Sequence, residues 1–172
     1  MLIRRAEERD IPRIHGLLAQ VAQVHHTGRP DLFRAGGRKY TDAQLSQKIN
    51  DENVPIFVAV DGGERVLGYV FCQFEQHVNH NILTDVKTLY IDDLCVDEAL
   101  RGQHIGGALY AYAAEFARKS GCYNLTLNVW SCNPSAIKFY ESCGLRPQKV
   151  HLEALLSADG PGAGSAEAAP MI

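Results

Sequence analysis

Tyr90-Ile91-Asp92-Asp93-Leu94-Cys95-Val96-Asp97-Glu98-Ala99-Leu100-Arg101-Gly102-Gln103-His104-Ile105-Gly106-Gly107 is the stretch that decides the fold. Its opening, up to Val96, has the apolar and β-branched make-up of a strand, and its end opens a helix. The loop between them is short and rich in small residues. Such a loop leaves the first N–H groups of the helix unpaired and sets the positive end of the helix dipole at the same point. Together they suit a phosphate or pyrophosphate, to which Arg101 can add a charge-assisted hydrogen bond. The plain alternative is a capped strand-to-helix turn with two packing glycines. The loop holds neither Gly-Lys-Ser/Thr nor Gly-x-Gly-x-x-Gly, so nucleotide hydrolysis and hydride transfer lose their usual support.

Working outward, Ile105 to Ser120 is the strongest helix, with Ile105, Leu109, Tyr112 and Phe116 as its apolar stripe and Gly121 closing it. Upstream, Pro55 to Val60 and Val66 to Phe74 flank Asp61-Gly62-Gly63-Glu64, a hairpin signature, and Thr88 to Val96 is the next strand. Met1 to Arg5 reads as a strand. Asp10 is expected to cap a first helix carrying Ile14, Leu17, Leu18 and Val21, and Thr41 a second one reaching Asn50. Downstream, Leu125 to Val129 reads as a strand, Asn133 to Ser142 as a short helix, and Val150 to Leu155 as a final strand. Hairpins first and helix-separated strands later predict an α/β, largely antiparallel mixed sheet with helices on both faces.

The 172 residues divide into one domain, 1–156, and a Gly/Ala/Pro-rich tail, 157–172, expected to be flexible. Lys plus Arg number 17 against 20 for Asp plus Glu, a net charge of −3 that provides no global field for a nucleic acid. No apolar run reaches membrane-spanning length, and Met1-Leu2-Ile3-Arg4-Arg5 lacks the apolar core of a secretory signal. Five cysteines with no Cys-x-x-Cys pair argue against both a disulfide framework and a zinc site. Reduced thiols and a cytoplasmic location are therefore expected.

Two blocks carry a family resemblance. Tyr90 to Val96 followed by Arg101-Gly102-Gln103-His104-Ile105-Gly106 resembles the central motif of the GNAT superfamily of acetyl-CoA-dependent N-acetyltransferases, whose loop is Arg/Gln-x-x-Gly-x-Gly/Ala. Arg101 and Gly106 match, whereas His104 stands where the family usually has its first glycine. Asn133-Pro134-Ser135-Ala136-Ile137-Lys138-Phe139-Tyr140-Glu141-Ser142-Cys143-Gly144-Leu145 is similar to the family's Asn-x-x-Ala-x-x-Phe-Tyr-x-x-x-Gly-Phe element.

The resemblance implies acetyl transfer from acetyl-CoA, a co-substrate, to a primary amine on a small molecule or peptide, without a metal. It implies a cofactor gap where the strand ending at Val96 splays from the one beginning near Leu125. Leu94, Cys95 and Val96 would pair with the pantetheine arm, while Arg101, Gly102, Gln103, His104, Ile105, Gly106 and Gly107 would hold the pyrophosphate. Asn133 would meet the cofactor arm and Tyr140 the thioester sulfur. The alternative reading is a non-catalytic acyl-CoA-binding or sensor domain of the same fold, and a homodimer is a candidate assembly.

An alkyl amine is protonated at neutral pH and must lose a proton before it can attack. Asp92 is the favoured base because its position resembles that of a glutamate in the spermidine/spermine acetyltransferases, and strand alternation, which sends Asp92 and Asp93 to opposite faces, lets only one of them reach the amine. A bulge would swap that assignment, which leaves Asp93 as the alternative. Tyr140 is the candidate donor to the leaving thiolate. His26, Arg29, Asp31 and Phe33 follow the first helix, where the family builds its acceptor wall. Arg29-Pro30-Asp31 can equally be a turn with an internal ion pair.

Overall fold

The computed structural model describes residues 1–156, so the expected tail, 157–172, lies outside the described residues. Five strands form one sheet in the order β1 (Leu2–Arg5), β2 (Ile56–Val60), β3 (Val66–Gln76), β4 (Lys87–Val96) and β5 (Asn124–Leu127). Neighbours run antiparallel except β4 and β5, which run parallel. Four helices accompany them: α1 (Ile11–Gly28), α2 (Asp42–Ile49), α3 (Ile105–Lys119) and α4 (Pro134–Ser142). The predicted mixed α/β architecture is the one observed.

β2 is buried along its whole length because both faces of the sheet are covered. Ile56, Val58 and Val60 pack against Ile14, Leu17 and Leu18 of α1 and Leu45 and Ile49 of α2. Phe57 and Ala59 point the other way, toward Ile105, Leu109, Ala113 and Ala117 of α3. The period of two along the strand and of 3.6 along the helices supplies this division. The line of α3 in contact is therefore Ile105-Leu109-Ala113-Ala117, not the predicted stripe through Tyr112 and Phe116. Small alanines let the helix lie close to the sheet. Tyr112 and Phe116 pack from its margin, edge-on against Phe57, with ring centroids 4.9 Å away.

Gly68 shows how tightly α3, β3 and β4 meet. A Cβ there would lie 2.7 Å from the Cys95 carbonyl oxygen and 3.2 Å from Leu109 Cδ1.

The expected cap of α2 forms, and two further local expectations do not. Thr41 caps α2 through a reciprocal box, its hydroxyl accepting from the Gln44 N–H while Gln44 accepts from the Thr41 N–H. Asp10 does not cap α1. It is buried, held by two guanidinium hydrogen bonds from Arg4 at 2.7 and 3.0 Å, and accepts the Glu7 N–H. Val150 to Leu155 forms no strand, and Val150, Leu152 and Leu155 are exposed, Leu152 at 85%. The alternating apolar pattern there has no sheet edge beside it among the described residues.

Candidate active site

β4 and β5 are paired only from Thr88↔Asn124 to Ile91↔Leu127. Beyond that point β4 continues to Val96 on β3 alone, so its other edge is open along Asp93 to Val96. This is the splay expected between these strands. It leaves main-chain donors and acceptors unpaired in the middle of a sheet, a cost the fold accepts where another chain or ligand can bond to them.

The open edge leads into the glycine loop. Gly102 and His104 both have left-handed backbone, with φ of 80° and 60°, and Ile105 begins α3 immediately afterwards. None of the N–H groups from Gly102 to Gly107 meets a backbone acceptor among the described residues, whereas the Ala108 N–H already bonds the His104 carbonyl. A concave run of free amides at the start of a 15-residue helix has the geometry and the dipole to receive an anion. The left-handed His104 accounts for the glycine usual at this position in the resembled motif. An imidazole is tolerated because the ring is exposed and its N–H stays in the cradle. Gly106 lies against Phe139 and Val96, where a methyl group would sit at 3.5 to 3.6 Å.

The bulge anticipated in β4 is present. Asp93 stands opposite Phe71 and Ile91 opposite Cys72, so Asp92 has no partner in the ladder. Ile91 therefore packs on the α3 side, while Cys95 packs on the α1 side. The alternation that would part Asp92 from Asp93 fails here, because the extra residue turns both carboxylates toward one side. Both meet the ammonium of Lys39, at 2.9 Å from Asp92 and 3.2 Å from Asp93. Asp92 side-chain exposure is 38%, that of Asp93 only 9%. Burial raises the Asp93 pKa above the ordinary carboxylate value, and Lys39 offsets only part of that.

Around this pair stand the Tyr40 hydroxyl, 3.3 Å from Asp92, and Tyr69. The Tyr69 hydroxyl is buried without a hydrogen-bond partner among the described residues, and burial together with Asp93 raises its pKa. Tyr140 is half-buried on α4. Burial raises its pKa first, and the negative charge of Asp93 adds to the effect. His25 is held toward its neutral form by burial, against the pull of Asp93. Its ring lies 4.9 Å from that of Phe33, which meets Trp130 edge-on at 5.2 Å.

Other singled-out residues have internal duties. Asn133 caps α4, accepting from the Ala136 N–H at 3.1 Å and the Ser135 hydroxyl at 2.8 Å. His26 Nδ1 lies 2.7 Å from the Phe33 carbonyl oxygen. Arg29 is bonded to both Asp31 and Glu153, so the turn with an internal ion pair is what forms. Of the four acceptor-wall candidates, Phe33 alone joins the aromatic group beside the acidic pair. Lys39 and Tyr40 complete the group around the acidic pair without any signal in the sequence. They reach Asp92 from 53 and 52 residues away, and no local spacing signals such a contact. The Cys95 thiol is buried and pushed up to about 12 by burial and by Asp93, so it is no nucleophile at neutral pH.

Comparison with known proteins agrees with this geometry. The profile of the acetyltransferase (GNAT) family matches residues 21–145, well over half of the chain. Glucosamine 6-phosphate N-acetyltransferase 1 of Oryza sativa subsp. japonica is 33% identical over 63 residues, 37% of this chain and 36% of that protein. Acetyltransferase Atu2258 of Agrobacterium fabrum is 45% identical over 56 residues, 33% of this chain and 39% of that protein. The matched stretches thus span well under half the length of these relatives. A mutant of the BH1408 protein from Bacillus halodurans superposes with a TM-score of 0.88 at 30% identity, covering 91% of this chain and all of that one. The chain belongs to the GNAT family of acetyltransferases.

Proposed function

We propose that the chain is an N-acetyltransferase that moves the acetyl group of acetyl-CoA to a primary amine by direct attack in a ternary complex. The observation that carries this reading is the parting of β4 from β5 beyond Ile91 and Leu127, flanked by free amides at 102–107 on one side and Asp93 and Tyr140 on the other. The open main chain of Leu94, Cys95 and Val96 suits an amide-bearing pantetheine arm. The cradle from Arg101 to Gly107 suits its diphosphate, and the side-chain NH2 of Asn133, whose oxygen caps α4, suits the arm's end.

Asp93, or its neighbour Asp92, takes the proton of the incoming ammonium. What supports Asp93 is its burial, which raises its affinity for a proton toward that of a working base. Tyr140 stays protonated at neutral pH and can donate to the departing thiolate. The paired carboxylates favour an acceptor that arrives as a cation, and the His25–Phe33–Trp130 group offers its carbon skeleton an aromatic wall. Amino sugars fit this description, as the name of the rice relative suggests. So do amino acid and peptide amines. Five free thiols among the described residues suit a reducing, cytoplasmic setting.

The test has two parts. Calorimetric titration with acetyl-CoA should show binding, weakened about tenfold or more by Arg101→Ala, which removes one charge-assisted contact. A panel of polyamines, amino sugars, aminoglycosides, amino acids and peptides, followed by thiol release, should then identify the acceptor. An unchanged dissociation constant in Arg101→Ala removes the loop from the cofactor site. No thiol release with any amine, despite binding, removes catalysis.

A further inference from the structure

The acidic pair proposed to receive the acceptor amine already holds one. We propose that Lys39 is itself an acceptor of this site, acetylated in cis on Nζ when no outside amine displaces it. The inference rests on the function proposed above and goes beyond it, since it assigns a modification site and the chemical group modified. Lys39 Nζ lies 2.9 Å from Asp92 and 3.2 Å from Asp93, so a primary alkylammonium stands where a substrate ammonium would be deprotonated. Lys39 belongs to the connection between α1 and α2, which carries no regular structure around it. Gly36, three residues before it, has left-handed backbone with open space around it, so the segment has freedom to carry the amine toward the parted strands.

The step balances without any further reactant. Asp93 takes one proton from the ammonium and later yields it to water. The Nζ–carbon bond forms as the carbon–sulfur bond of the thioester breaks. The second N–H proton reaches the departing thiolate through Tyr140. Acetyl-lysine, free thiol and one proton result. The product is uncharged, so it no longer competes with a cationic acceptor for the two carboxylates.

The two carboxylates outweigh burial and hold Lys39 above the ordinary lysine value. Lys39 is thus poorly reactive toward a thioester in free solution, where exposed lysines are favoured. Selective modification at Lys39 consequently reports the site and not adventitious chemistry.

The full chain is incubated with acetyl-CoA and no amine, and intact mass and peptide mapping are followed with time. The expected result is one acetyl group on Lys39, at a rate constant unaffected by diluting the protein. It should be absent in Lys39→Arg, which keeps a cation on the pair, and slowed about a hundredfold or more in Asp93→Asn. Calorimetrically demonstrated binding of acetyl-CoA with Lys39 unmodified overturns the proposal while leaving the acetyltransferase reading intact. A first-order rate constant that rises in proportion to protein concentration overturns transfer in cis. Labelling spread evenly over Lys48, Lys87 and Lys138 overturns the role of the site. Absence of acetyl-CoA binding overturns the underlying function instead.

Discussion

Asp93 pairs with Phe71 across the ladder between β3 and β4, although the strand's run of alternating residues sets it in line with Ile91, which faces the other side of the sheet. The bulge at Asp92 makes this possible. It also creates the acidic pair, since a regular strand would send one of the two carboxylates toward α3.

The pair should divide unequally under mutation. Asp93→Asn is expected to lower kcat by about 10²–10⁴ with the identified amine, and Asp92→Asn mainly to raise KM. A base must be ionised, so activity of the native chain rises with pH through the Asp93 pKa, which lies above its ordinary 3.8. That ascending limb should vanish in Asp93→Asn. A larger loss of kcat in Asp92→Asn would reverse the assignment.

Tyr140→Phe removes the donor and keeps the ring. Turnover should fall at least tenfold while the dissociation constant for acetyl-CoA changes less than twofold, read by steady-state kinetics and calorimetry. Equal losses in both would make Tyr140 a binding residue only.

His104 tests whether amides or side chains make the cradle. His104→Gly keeps the N–H and relieves a left-handed side chain at φ 60°, so affinity for acetyl-CoA should be unchanged. Stability should rise by about 0.5–1 kcal/mol once the extra freedom of glycine in the unfolded chain is counted. Urea unfolding measures it.

Two glycines near the same helix should respond unequally to a methyl group. Gly68→Ala forces a carbon to 2.7 Å from the Cys95 carbonyl oxygen and should cost about 2 kcal/mol or more in urea unfolding. Gly106→Ala places its methyl in ordinary contact with Phe139 at 3.5 Å and should leave stability within about 0.5 kcal/mol.

Asp10 governs part of the acid response. Burial alone would raise its pKa, but the hydrogen bonds from Arg4 and the Glu7 N–H prevail and lower it. A carboxyl with a depressed folded pKa stabilises the protein fully above its unfolded value, near 3.8, and loses that contribution as pH falls through the folded value. Urea midpoints for Asp10→Asn and the native chain should therefore converge toward the acid end. At neutral pH, Arg4→Ala should cost about 3 kcal/mol, because it leaves the Asp10 charge buried and unpaired.

Much of the site was legible because its signals are local. The free amides of the loop follow from a strand running into a helix across Gly102, and the left-handed position falls one residue before Ile105. The helix from Pro134 to Ser142 follows from local pattern in the same way, whereas Asn133 and Tyr140 are singled out by the family resemblance. The turn at Arg29 and Asp31 was also readable, but its second partner, Glu153, comes from 124 residues away. Val150 to Leu155 shows the opposite failure. Its pattern matches a strand, yet a strand exists only where another lies beside it.

By itself the sequence determined the order of strands and helices as far as α4, the glycine loop that opens α3, and the family, since each is written in neighbouring residues whose backbone preferences act at short range. Only the tertiary structure decided which carboxylate is buried, that Lys39 sits on the acidic pair, and where β4 leaves β5. Those outcomes depend on one unpaired residue in a ladder and on contacts across more than fifty positions. Such contacts arise only after both faces of the sheet are packed.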